Sequence, residues 1–131
     1  MGLDNGVHVK RTPISESISE MKQFEEDWIK KYNLNYEVCY WRKCWNIRSR
    51  IFDVLTGSFD EEYRITLTIE DVDRIAEVLQ SFNSDNWEDD GWSIWTFDDM
   101  EEILEQQISN LGTLKQLMLE YELEVYFYDS Y

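Results

Sequence analysis

The sequence predicts an α+β fold, a small three-stranded sheet packed by about four helices in the order α-α-β-α-β-α-β. Three observations carry this prediction. Apolar residues recur at helical spacing in four stretches, and in three others apolar and polar residues alternate as in half-buried strands. Over most of the chain strand and helix interleave, which argues for a sheet covered by helices. Three strands need such cover to be stable. The length of 131 residues and an aromatic content of 15% suit one folded domain with a real core. No internal repeat, low-complexity run or second domain is visible.

Residues 1–11 read as a loose arm, broken by Gly2, Asn5 and Gly6 and closed by Lys10-Arg11. Residues 12–131 form the domain. Thr12-Pro13 is a helix start, with Thr as cap and Pro at the first helical position. Ile14, Ile18, Met21 and Trp28 then mark a first helix to about Lys31. The stretch Tyr36–Leu55, YEVCYWRKCWNIRSRIFDVL, reads as a central helix. Tyr40, Cys44, Ile47, Ile51, Val54 and Leu55 fall on one stripe, and Trp41, Trp45, Arg48 and Phe52 flank it. Gly57 ends it.

Tyr63, Ile65 and Leu67 alternate with Arg64 and Thr66, which predicts a strand over 63–68. Thr68 and Asp71 have capping-box spacing, and Val72, Ile75, Ala76, Leu79 and Phe82 predict a third helix over 69–82. Residues 83–91, NSDNWEDDG, form an acidic turn-rich loop. Its Asn86, Glu88 and Asp90 resemble the start of a calcium loop, but Phe97 stands where that loop needs its glutamate, so a solvated loop is expected. Trp92–Thr96 reads as a second strand, with Trp92 and Ile94 sharing a face. Thr96 and Asp99 repeat the capping pattern before a fourth helix over 97–121, which Gly112 weakens. Leu123, Val125 and Phe127 alternate with Glu124, Tyr126 and Tyr128 in a third strand.

Charge is unevenly placed. The net value is −16. Residues 1–52 hold nine Lys/Arg against seven Asp/Glu, whereas residues 53–131 hold three against twenty-one. An acidic half of this kind repels nucleic acid and seeks basic surfaces. The plainer reading, and the favoured one, is a solvated, self-repelling surface; the sharper is a mimic of the phosphate backbone. The two cysteines, Cys39 and Cys44, are five apart on the expected helix and point in different directions, so a bridge between them is not expected. With His8 as the one histidine and no Cys-x-x-Cys, no zinc site, other metal site or cofactor is expected. The N-terminus lacks an apolar signal core, Gly6 stands where myristoylation wants Ser or Thr, and no stretch is long and apolar enough for a membrane span. A cytoplasmic protein is expected.

Tyr40-Trp41-Arg42-Lys43, followed by apolar Ile47 and Phe52, resembles the YWRK-type signature of small, uncharacterised proteins encoded by tailed phages and prophages. Gly91–Thr96 (GWSIWT) and Tyr126–Tyr131 (YFYDSY) resemble the later parts of that family. The similarity covers about residues 36–131. Typical members carry Ile-His where this chain has Ile47-Arg48, so a role for that histidine is not transferred. The resemblance implies a phage or prophage origin, action in a host cell and an accessory role such as countering host defence; it implies no mechanism.

Three functions are weighed on these residues. In the first, the protein is a non-catalytic inhibitor of a host nucleic-acid-handling complex, for instance a CRISPR effector. Its contacts are the carboxylates Glu88, Asp89, Asp90, Asp98, Asp99, Glu101 and Glu102, which imitate the charge row of a nucleic acid. In the second, it is a sponge for a nucleotide signal, with Trp41 or Trp45 stacking the base and Arg42, Lys43, Arg48 and Arg50 meeting phosphate. Core packing, ion pairs with the chain's own acids and a protein interface are the alternatives for those residues. The third is a structural or assembly role in a phage particle. Enzymatic activity is not expected, because no triad or glycine-rich phosphate loop is present. Direct nucleic-acid binding is not expected either, since four cations in one stretch face twenty-one acids downstream.

Overall fold

A computed structural model describes residues 3–9, 37–121 and 123–130 of the chain. The first expected helix, 12–31, lies outside the described residues. The fold is α+β, and among the described residues the sheet has four strands where three were expected. In chain order these residues form Asp4–Val9 (β1), Glu37–Arg42 (β2), Trp45–Val54 (α1), Arg64–Thr66 (β3), Ile69–Gln80 (α2), Phe97–Glu120 (α3) and Val125–Ser130 (β4). The sheet is antiparallel with the order β2-β1-β4-β3.

The described part of the expected arm contains an inner strand. Residues 4–9 pair with β2 on one side and with β4 on the other. Gly6 permits this rather than breaking it. A Cβ there would stand 2.6 Å from both the Cys39 carbonyl oxygen and Cε1 of Tyr128, so only hydrogen fits between the strand and the Tyr128 ring.

The expected helix over 36–55 is two elements. Glu37–Arg42 is an edge strand, and the helix begins only at Trp45. The break is Lys43, whose φ of 53° is left-handed and incompatible with either element. Val, Tyr and Trp in β2 are residues that suit a pleated surface, and β1 provides the partner. One bulge lies opposite the Val7–His8 step, where Val38 has no partner.

Strand residues Val7, Val9, Cys39, Trp41, Ile65, Val125 and Phe127 share one core with Ile47 and Ile51 of α1, Val72, Ile75 and Leu79 of α2, and Leu104, Leu111, Leu114 and Leu117 of α3. The strand positions that alternate with these, on β1, β4 and β2, carry Asp4, Gly6, His8, Tyr126, Tyr128, Tyr40 and Arg42 to the other face. Helix α2 begins with the expected capping box: the Thr68 hydroxyl accepts from Asp71 N–H (3.1 Å) and the Asp71 carboxylate accepts from Thr68 N–H (3.0 Å). Gly112 lies within an uninterrupted α3.

Helix α3 also covers the edge of β2 that faces away from β1. The Gln107 amide donates to the Tyr40 carbonyl (3.3 Å) and the Asn110 amide to the Val38 carbonyl (3.4 Å). Both carbonyls point away from β1, so these bonds occupy positions that another strand would use.

The expected strand over 92–96 does not form. Ser93 makes an isolated bridge with Cys44, the Trp45 N–H donates to the Trp92 carbonyl (2.9 Å), and Ile94 N–H donates to the Lys43 carbonyl (3.3 Å). The segment therefore lies against the turn that joins β2 to α1. Its Ser93 is buried, and Trp92, Ile94 and Trp95 face outward.

Candidate functional site

The acidic loop and the start of α3 are brought together by Trp87. This side chain is buried, with its ring edge-on to Phe82 (5.1 Å) and Phe97 (5.9 Å). Its indole N–H donates to the Trp95 carbonyl (2.7 Å), and its own carbonyl accepts from the buried Asn46 amide (2.7 Å). One tryptophan thus ties the loop to the first turns of both α1 and α3. Gly91, at φ 151°, lets the backbone press onto α1, since a Cβ there would lie 2.9 Å from Asn46 N.

The loop is held by asparagines. Asn83 Oδ1 accepts from the N–H groups of Asp85 and Asn86 (both 2.9 Å). Asn86 Oδ1 accepts from Asn83 N–H (2.8 Å), and its amide donates to the Ser81 carbonyl (2.8 Å). The side chain that resembles the first ligand of a calcium loop is used here on backbone.

Between loop and helix lies a depression of about 450 Å³, lined by Asp85, Glu88, Asp89 and Asp98 with Trp87 and Phe97 at its base. All seven carboxylates expected at a partner surface are exposed. Two of them have structural partners. Asp90 receives Arg50 Nε at 2.5 Å, and Asp99 closes the α3 capping box with Thr96. Glu88, Asp89, Asp98, Glu101 and Glu102 have no ion-pair partner among the described residues. Asp85, which the sequence reading did not single out, joins them at the depression.

Along α3, Asp98, Glu101, Glu102 and Glu105 recur at helical spacing and are all exposed. At about 1.5 Å of rise per residue they place four charges on about 10 Å of axis. That is about one charge per 3.5 Å, close to the roughly 3.4 Å per phosphate of a single DNA strand.

The Trp/Arg set is not gathered on one open surface. Trp41 is buried in the sheet core, and its indole N–H donates to Gln107 Oε1 at 2.7 Å. Arg48 forks onto Asp129 (2.8 and 2.9 Å) and stacks on Phe52 (4.2 Å) beside Trp45 (5.4 Å). Arg50 bonds Asp90 and Ser81 and lies over Phe82 (4.1 Å). Trp45 and Lys43 are half-buried at the turn, and Arg42 is exposed on the edge strand. These partners lie far along the chain from the residues they hold, which is why spacing did not disclose them.

His8 belongs to the sheet face opposite the core. Its Nε2 meets Glu37 Oε2 at 2.9 Å, and its ring stands edge-on to Tyr128 (4.8 Å). Burial, helped by the Glu37 charge, holds the Tyr128 phenol well above its ordinary range. A bond to Asp4 raises that of Tyr40. Burial also pushes both thiols up, Cys39 most strongly. Cys39 belongs to the core face and His8 to the other, so the sheet separates thiol from imidazole. No helix among the described residues is long and apolar enough to cross a membrane.

No family model, curated protein or solved structure matches this chain.

Proposed function

We propose that this protein is a non-catalytic inhibitor that lays its acidic ridge on a basic, nucleic-acid-handling surface of a host complex and occupies it. The observation that carries the reading is the convergence of Asp85, Glu88, Asp89 and Asp98 on one depression, continued by Glu101, Glu102 and Glu105 along α3. These carboxylates are exposed and rigidly mounted on a capped helix and an asparagine-tied loop. Their spacing suits a groove built for a phosphate row. The resemblance of residues 36–131 to phage-encoded proteins directs the search to bacterial defence complexes, CRISPR effectors among them.

The test is affinity capture of the tagged protein from a defence-competent bacterial lysate, eluted by rising salt. A basic complex should be retained at low salt and released at high salt, because charge steers the encounter. Asp98→Lys/Glu101→Lys/Glu102→Lys should cut retention about tenfold or more. Retention that ignores both salt and the triple reversal would sink the proposal.

A further inference from the structure

Trp92, Ile94 and Trp95 stand 56%, 39% and 44% exposed in one four-residue segment. Large apolar side chains grouped on a surface mark contact sites more often than singly scattered ones. The segment is also fixed. Its backbone is bonded to Lys43 and Trp45 on one side, and the Trp95 carbonyl to the Trp87 indole on the other. Trp95 therefore sits at the rim of the acidic depression, one residue before the Thr96–Asp98 stretch that lines it. The ordering entropy of the backbone that carries the two indoles is thus partly met before any partner arrives.

The chain itself shows what such a combination holds. Arg48 lies on Phe52 and forks to Asp129. Arg50 lies over Phe82 and bonds Asp90. Arg64 lies over Tyr126 (5.1 Å) and bonds Asp60 (3.3 Å). In each case an aromatic face takes the flat guanidinium and a carboxylate takes its N–H groups. Arginine satisfies both demands at once, and the compact lysine ammonium does so less well. The segment 92–95 presents two exposed indoles, and it runs directly into the Thr96–Asp98 stretch that lines the depression with Glu88 and Asp89.

We infer that Trp92 and Trp95 form the anchor of the interface and that the partner element it takes is arginine-rich, its guanidinium planes stacked on the indoles and forked to the adjoining carboxylates. This rests on the acidic-ridge reading and specifies the partner's chemistry. Acids alone steer any cation, whereas indoles beside acids discriminate arginine from lysine.

The experiment titrates the full chain calorimetrically with a short arginine-rich peptide and with its lysine counterpart of equal charge, at low and at physiological salt. The arginine peptide should bind about tenfold tighter or more. Trp92→Ala/Trp95→Ala should abolish that preference and leave the weaker, salt-sensitive binding. Trp92→Phe/Trp95→Phe, which keeps flat faces, should retain part of it. Both side chains are well exposed, and circular dichroism of each variant checks the fold. Equal affinity for the two peptides, or a preference that survives the alanine pair, would overturn the anchor and leave the acidic-ridge reading standing. Failure of wild type to bind either peptide at low salt would overturn both.

Discussion

Replacing Arg48 by Met tests whether the cations of the aromatic segment hold the fold together or are kept for a ligand. Arg48 reaches from α1 to β4 and makes two charged hydrogen bonds to Asp129, at 2.8 and 2.9 Å. The carboxylate side chain is 6% exposed and the guanidinium side chain 19%. Met retains much of the volume and the contact with Phe52 while removing both bonds. Asp129 then keeps the Asn5 amide at 2.6 Å as its side-chain donor from the inner strand. Stranding one partner of a buried pair costs about 3–5 kcal/mol. The partly wet guanidinium and the retained Asn5 bond reduce this to about 2–4 kcal/mol. At this chain length such a loss lowers Tm by roughly 8–15 °C. Urea denaturation of wild type, Arg48→Met, Asp129→Leu and the double variant would measure it. The double variant should be more stable than the sum of the singles, because no charge is left stranded. A loss below about 1 kcal/mol in Arg48→Met would refute the reasoning. So would a nucleotide-dependent rise in Tm that vanished in Arg48→Met, since a guanidinium engaged by Asp129 is not a phosphate ligand.

Other consequences are open to measurement. Gln107→Ala strands the buried Trp41 indole N–H and frees the Tyr40 carbonyl, so it should cost about 1–3 kcal/mol. Paired with Asn110→Ala it should raise self-association of the β2 edge, read by sedimentation. Burial raises both thiols in the folded state, so their contribution is complete below the ordinary thiol pKa of 9.0 and is lost as pH rises above it. Stability should fall by up to about 1.4 kcal/mol per pH unit for each thiol there. Cys39→Val should flatten that slope, and a slope unchanged by the substitution would assign it elsewhere. Thr68→Ala opens the α2 capping box and should cost about 1 kcal/mol by urea denaturation. Added salt should leave fold stability level or raise it by screening the net −16 charge, while weakening partner binding.

What was legible in the sequence is what is local. Helix α2 follows from Thr68 and Asp71 and from Val72, Ile75 and Leu79, all within one short stretch. The start of α3 and the alternation of Val125 and Phe127 were legible for the same reason. Strands β1 and β2 were not. Gly6 looks like a breaker until Tyr128 is found lying over it. In β2 the spacing of Tyr40, Cys44, Ile47 and Ile51 matched a helix, although the stripe crossed two elements joined at a left-handed lysine. Trp92 and Ile94 alternate with polar or exposed neighbours as strand residues do, but their partner is a turn and not a strand. At the site, the acids were visible as charge, whereas their convergence depends on a buried Trp87. Trp41 and Arg48 meet partners 66 and 81 residues onward. No local pattern carries such distances.

The placement of cations gives the acidic surface its character. Downstream of residue 52 the chain has three, Arg64, Arg74 and Lys115, and each is held by a carboxylate: Asp60 with Glu62, Asp71, and Asp73. Arg48 and Arg50 from upstream reach Asp129 and Asp90. These five cations are thereby committed to joining elements or closing turns, and Asp85, Glu88, Asp89, Asp98, Glu101, Glu102 and Glu105 have no ion-pair partner among the described residues. Neighbouring charges in the α3 row are on average about 3.5 Å apart along the axis, well within a Debye length of about 8 Å at physiological salt. They therefore act on a partner as one field rather than as separate ions. Such a field repels phosphate and holds a basic surface only as long as salt permits. Charge attraction of this kind favours any cationic protein about equally. Discrimination among basic partners would have to come from groups that distinguish one cation from another, which is the role inferred for the exposed indoles of Trp92 and Trp95 in the segment that runs into Thr96 and the depression.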